Sequence, residues 1–168
     1  HFENTAHRIY GQEFIVVAQD TSFIDFSSHK MTFGLGTATA IGDYEVKGVH
    51  FHAGLALSHE GTPLGLVYSK LWSREKQTKR GHDHTKVPIK KKESYRWLEC
   101  LEKTKDLLPS GTNALIVGDR ENDIYEYFER AIDLELDVLV RLQHNRVIVD
   151  EFGESERIED FFLNEKVR

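Results

Sequence analysis

The change in hydrophobic period near Glu93 limits what this chain can fold into more than any other feature. From position 14 to 72 the apolar residues form short runs without helical spacing, and after Glu93 helical and strand patterns alternate. The runs predict strands over 14–19, 48–57, 64–72, 113–118 and 137–142. The turn Ser-His-Glu-Gly-Thr-Pro at 58–63 makes a hairpin of the second and third. The polar segment 27–47, with Gly34-Leu-Gly36, reads as a loop or a long hairpin connection. Trp97, Cys100, Leu101, Thr104 and Leu108 share one face of a helix that Pro109-Ser-Gly111 stops. Asn122 is suited to cap a second helix with an apolar face of Ile124, Tyr127, Phe128 and Ala131. The remainder, 143–168, is charged and weakly patterned.

The expected order is β-β-β-α-β-α-β. A doubly wound parallel fold requires a helix after each early strand, and none is visible before Glu93. Three opening strands followed by α-β-α-β match the ribonuclease H-like arrangement, an α/β fold with a mixed five-stranded sheet. Its first and fourth strands lie side by side and parallel at the centre.

That arrangement gives meaning to two aspartates. Asp20 closes the run Phe-Ile-Val-Val-Ala-Gln, Asp119 closes Ala-Leu-Ile-Val-Gly, and 98 residues lie between them. Neighbouring strand ends would bring the two carboxylates together, and like charges at short range call for a cation between them. Open α/β sheets hold ligands at the carboxyl ends of strands. The chemistry suggested is two-metal phosphoryl transfer, in which two ions about 4 Å apart activate the attacking oxygen and neutralise the leaving one. The bland alternative is that each aspartate merely caps a strand end or turn.

Composition sets the class. The 168 residues, 39% hydrophobic and 30% charged, suit one globular domain with a core. No run approaches the ~18 apolar residues of a membrane span, and no signal peptide is recognised. A single cysteine, Cys100, excludes an internal disulfide and agrees with a reducing cytoplasm. The formal charge of −6 hides an asymmetry: positions 70–96 hold ten Lys/Arg against three acids, a local +7 that leaves −13 elsewhere. Such a stripe is the footprint of a phosphate-backbone contact, or else a solvated basic loop.

Other site chemistries find less support. Asp119-Arg-Glu-Asn-Asp123 fits the Gly-Asp-x3-Asp metal motif of haloacid-dehalogenase-type phosphatases. Their first-strand nucleophile is Asp-x-Asp, however, and this chain has Asp20-Thr-Ser22. His50 and His52 share one strand face, and His82-Asp-His84 lies in the basic segment; packed and solvent-facing roles explain them better than zinc. No nucleophile elbow or Gly-rich phosphate loop is present.

An ordered set of motifs over about 14–150 resembles the DDE transposases of bacterial insertion sequences, in the insertion-sequence-four branch that includes the transposon-five enzyme. The set comprises Gln19-Asp20-Thr21, Gly34-Leu-Gly36, His50-Phe-His-Ala-Gly-Leu-Ala56, Glu60-Gly-Thr-Pro-Leu-Gly-Leu66 and Trp72-Ser-Arg74. It continues with Lys92-Glu-Ser-Tyr-Arg-Trp97, Gly118-Asp-Arg-Glu-Asn-Asp-Ile-Tyr125 and Val140-Arg-Leu-Gln-His-Asn-Arg146. The resemblance implies that Asp20 and Asp119 are the first two catalytic acids and metal ligands, with two Mg²⁺ (or Mn²⁺) in the complete site. The partner would be DNA, both transposon end and target, cut and joined by a homodimer in the bacterial cytoplasm. Arg120, Arg141 and Arg146, with Arg74, Lys90, Lys91 and Lys92 of the basic stripe, are the DNA-contact candidates. Arg120 equally suits a salt bridge, and Trp97 suits packing of the helix on the sheet.

The family's third acid is a Glu on a later helix, within a Tyr-x2-Arg-x3-Glu-x6-Lys pattern that is not found here. Glu151, Glu154, Glu156 and Glu159 follow the fifth strand too closely, and Arg157-Ile-Glu-Asp-Phe-Phe162 resembles the start of the family's β-rich insertion. The expectation is therefore a catalytic core over 1–150, an insertion or linker beginning at 151–168, and no final catalytic helix. Such a chain would be inactive by itself, and would show an apolar strip on one sheet face that self-association could hide. A phosphatase and a non-catalytic, domesticated DNA-binding remnant are the alternatives.

Overall fold

The computed structural model describes residues 1–29, 31–41, 44–74 and 87–164. The elements are α1 (Phe2–Ile9), β1 (Phe14–Asp25), β2 (Gly36–Ile41), β3 (Tyr44–Ser58), β4 (Pro63–Trp72), α2 (Tyr95–Leu107), β5 (Asn113–Gly118) and α3 (Tyr125–Asp133). They continue with β6 (Asp137–Val140), β7 (Val147–Val149), β8 (Ser155–Arg157) and α4 (Ile158–Asn164), and 3-10 turns occupy Ile89–Lys91 and Arg120–Asn122.

The fold is mixed α/β. Its main sheet runs β2-β3-β1-β5-β6, with β4 also paired to β3. Strand β3 is antiparallel to β1, β2 and β4, whereas β1, β5 and β6 are mutually parallel along the path. Parallel neighbours need a crossover. Helix α2 lies in the connection from β4 to β5, and α3 carries the chain from β5 to β6.

Alternation along the strands separates the two faces. Ile15 and Val17 of β1, Ala56 of β3, Val67 of β4, and Ala114 and Ile116 of β5 are buried in one core with Ile9, Trp97, Leu101 and Tyr127 from α1, α2 and α3. Gly54 lets α2 close on the sheet: a Cβ there would lie 2.5 Å from Cys100 Sγ. The opposite face carries Val16, Ala18, Leu115 and Val117, all half-buried, and ends in Leu71 and Leu139, which are 63% and 58% exposed. This is the apolar strip expected from the sequence.

Five strands and two helices lie where the pattern predicted them, with corrections. Strand β1 does not stop before Asp20; it continues to Asp25, because β3 pairs with it as far as Asp25–Gly48. Falling hydrophobicity marked the loss of one neighbour, not the end of the strand. The segment 27–47 is the longer of its two readings, a hairpin with its own strand β2. Helix α1 went unread, since only Thr5 and Ile9 of its eight residues are buried. Ile124 rather than Asn122 precedes α3, because Asn122 is buried in the 3-10 turn. The fifth predicted strand ends at Val140 instead of 142. Within 143–168, β7 and β8 form a separate antiparallel pair across the expected boundary at 150, and α4 follows. No helix among the described residues is long and apolar enough to cross a membrane.

The two faces can be told apart by mutation. Ile116→Lys, placing an unpaired charge at a fully buried site, is expected to cost more than about 4 kcal/mol in urea unfolding. Leu139→Lys should change stability by about 0.5 kcal/mol or less. Equal losses would contradict the face assignment.

Candidate metal centre at the end of the central strands

The parallel ladder between β1 and β5 pairs Val16 with Leu115 and Ala18 with Val117, and there it stops. Two residues further along each chain stand Asp20 and Asp119. Side chains alternate with period two, so both belong to the open face, next to Ala18 and Val117. Both are exposed. Paired strands lie roughly 4.8 Å apart, so the register sets the two acids just past neighbouring strand ends although 98 residues intervene.

The local chain fixes Asp119. It precedes the 3-10 turn, and its Oδ1 accepts the Glu121 N–H at 2.9 Å. Gly118 permits this fold-back, because a Cβ there would meet Asn122 Nδ2 at 2.1 Å. Asp20 sits opposite Ala53 of β3, and its carboxylate makes no hydrogen bond or ion pair with the described residues. Two hard oxygen donors on an open face suit Mg²⁺, which binds through one or two carboxylates and keeps several waters. Among the described residues, no group of three or more His, Cys, Asp or Glu is placed to hold a metal.

Beneath the pair, on the helix face, lies a network that sequence reading missed. Arg96, in the first turn of α2, is 7% exposed. Its Nε donates to Thr21 Oγ1 at 2.9 Å, its Nη2 to Glu121 Oε2 at 2.7 Å, and its Nη1 to the Glu93 carbonyl at 3.0 Å. The guanidinium carbon lies 5.4 Å from the Trp72 ring centre and 5.1 Å from that of Trp97. Thr21 Oγ1 is also 2.9 Å from His52 Nδ1. His52 packs edge-on to Trp97 at 4.4 Å, and His50 stacks on Trp72 at 5.1 Å, so both histidines are packed residues. His82 and His84 lie outside the described residues, as does the basic segment 75–86.

The candidate DNA contacts divide into groups. Arg120 is exposed beside Asp119, and Arg141 follows β6 with its N–H donating to the Gly118 carbonyl at 3.3 Å. Neither side chain forms an ion pair with the described residues. Arg146 is turned inward: Nε donates to Asp123 Oδ1 at 2.5 Å and Nη2 to the Asp123 carbonyl at 2.6 Å. Asp123 Oδ2 also receives the N–H groups of Gln143 and His144. Burial alone would raise the Asp123 pKa, but Arg146 and these N–H groups outweigh it and hold the carboxyl below its ordinary value. Arg74 pairs with Glu93 at 2.6 Å. Lys90, Lys91 and Lys92 line a cleft of about 250 Å³ with Lys70, Trp72, Glu93 and Arg96. The geometry thus gathers Asp20, Asp119, Arg120 and the backbone of Arg141 at one strand end, and sets the lysines beyond Arg96.

Comparison with protein-family models gives no match, and no curated protein matches the sequence.

Burial, reinforced by the charge of Arg96, pushes the His52 pKa down to about 3 from an ordinary value near 6.5. Between those values the unfolded chain binds a proton that the folded chain refuses. The His52 contribution to stability is therefore complete above pH 6.5 and declines as pH falls toward 3. His52→Asn should flatten the dependence of Tm on pH in that window, and an unchanged slope would show that His52 titrates normally.

Proposed function

We propose that this chain forms the catalytic core of a DDE-type DNA transposase with a ribonuclease H-like fold. The observation carrying this reading is the β1–β5 register, which directs Asp20 and Asp119 to one open face at neighbouring strand positions. Strand order and direction support it as well. A central β1, antiparallel to β3 on one side and parallel to β5 on the other, is the arrangement that the sequence resemblance implies.

In this reading Asp20 and Asp119 hold divalent metal, Mg²⁺ or Mn²⁺. The bound metal supplies charge neutralisation and activation of the attacking oxygen at phosphorus. The protein's own task is positioning. Asp119 is oriented by the Glu121 N–H, and Asp20 by the rigid β1–β3 pairing. Arg120 and Arg141 flank the acids and contact DNA phosphates, and the Lys90–Lys92 cleft extends the basic track. A third carboxylate completes the ligand set in the family, and two alone favour weak metal binding without turnover.

The phosphatase reading loses its second metal ligand, because Asp123 is buried against Arg146 and occupied by three donors. A DNA-binding remnant would bind DNA without any need for metal.

Two measurements separate these readings. Mn²⁺ binding followed by electron paramagnetic resonance should be seen for the wild-type chain and fall at least tenfold in Asp20→Asn and in Asp119→Asn. Binding that ignores both substitutions would end the proposal. Affinity for duplex DNA should fall steeply with salt, and Arg120→Ala or Arg141→Ala should each lower the slope of log K against log [salt] by about 1. DNA binding with no Mn²⁺ at the acids would select the remnant.

A further inference from the structure

We infer that Arg96 is a positioning residue that sets the spacing between Asp20 and Asp119, an inference resting on the metal reading above only for its chemical purpose. The backbone ladder between β1 and β5 ends at Ala18–Val117, so no ladder bond joins the strands at the level of the acids. Arg96 bridges them at that point. One arm of the guanidinium holds Thr21, the residue next to Asp20, at 2.9 Å. Another holds the carboxylate of Glu121 at 2.7 Å, and the Glu121 N–H in turn holds Asp119 Oδ1 at 2.9 Å. A third arm anchors the fork to the start of α2 through the Glu93 carbonyl.

The side chain is suited to this work and hard to replace. A planar guanidinium sends donors in fixed directions, whereas an ammonium is a point charge on a flexible stem. Flanking Trp72 and Trp97 rings restrict it further. Glu121 is a carboxylate with 59% of its side chain exposed, yet it is turned toward a buried cation. The arrangement keeps Arg96 off the metal ligands themselves. Its hydrogen bonds go to Thr21 and Glu121, not to either acid, so it fixes their spacing without occupying their oxygens.

The test reads spacing directly and metal binding separately. Asp20→Cys/Asp119→Cys, labelled with nitroxides, should show strong dipolar broadening. Cys100 stays in place, since it is fully buried. Adding Arg96→Lys or Thr21→Val should weaken that broadening while circular dichroism shows a folded protein. With the acids intact, Arg96→Lys, Thr21→Val and Glu121→Ala should weaken Mn²⁺ binding tenfold or more, the usual effect of losing a group that orients a ligand. Glu121→Gln, which keeps an acceptor for Arg96, should recover part of it. Should Arg96→Lys fail to fold, Thr21→Val and Glu121→Ala carry both readouts. Unchanged broadening and unchanged Mn²⁺ affinity in folded variants would reduce Arg96 to a packing residue and overturn the inference. Altered spacing in a chain whose wild type binds no Mn²⁺ would uphold the clamp and refute the metal reading alone.

Discussion

Everything in this fold hangs on β1 being hydrogen-bonded along both edges, antiparallel to β3 and parallel to β5. A strand held on two sides cannot slip without breaking both ladders, and a slip of one residue would exchange its faces. Ile15, Val17 and Gln19 would then leave the core, and Asp20 would enter it. The burial of a β-strand's alternate residues thus decides where its carboxylate points. The two ladders also differ in length: β3 accompanies β1 to Asp25, but β5 leaves it at Ala18. The acids stand where one partner departs and the other stays, at a place both rigid and open.

The helix face supplies what the departing strand does not. Trp72, Trp97, His50 and His52 form an aromatic layer in which burial keeps His52 neutral. A buried guanidinium is costly unless its donors are used. Arg96 uses them on Thr21, Glu121 and the Glu93 carbonyl, and two tryptophan faces accept its charge. The site is therefore organised from the dry side of the sheet, by residues distributed over β1, β3, β4, α2 and the turn after β5.

Period and order in the sequence were enough to place the central strands, the two crossover helices and the parallel neighbourhood of the strands that lead into Asp20 and Asp119. What escaped depended on long-range partners. Arg96 was visible as one cation of a basic stripe, but its role comes from Thr21 and Glu121, 75 and 25 positions away. Arg146 stood among the DNA-contact candidates that the resemblance implies, and only the turn after β6 shows it holding Asp123. Asn122 has the chemistry of a helix cap, yet Gly118 opens a space beneath it that draws it inside. Strand β2 and helix α1 were faint for a different reason: β2 pairs along one edge only, with β3, and α1 buries just Thr5 and Ile9, so neither carries a sustained hydrophobic pattern of its own.

The same division explains how a cation and two carboxylates coexist within one small region without cancelling. Were Arg96 on the open face, its charge would stand directly beside Asp20 and Asp119. Alternation along β1 prevents this, because Thr21 points to the helices and Asp20 away from them. Consecutive residues of one strand thereby address opposite partners, one fixed and the other available. On the turn after β5, Glu121 accepts from Arg96 as Thr21 does on β1, and it also gives its N–H to Asp119. Asp119 thus gives Oδ1 to the turn and keeps Oδ2 for the open side, whereas the Asp20 carboxylate accepts no hydrogen bond from the described residues.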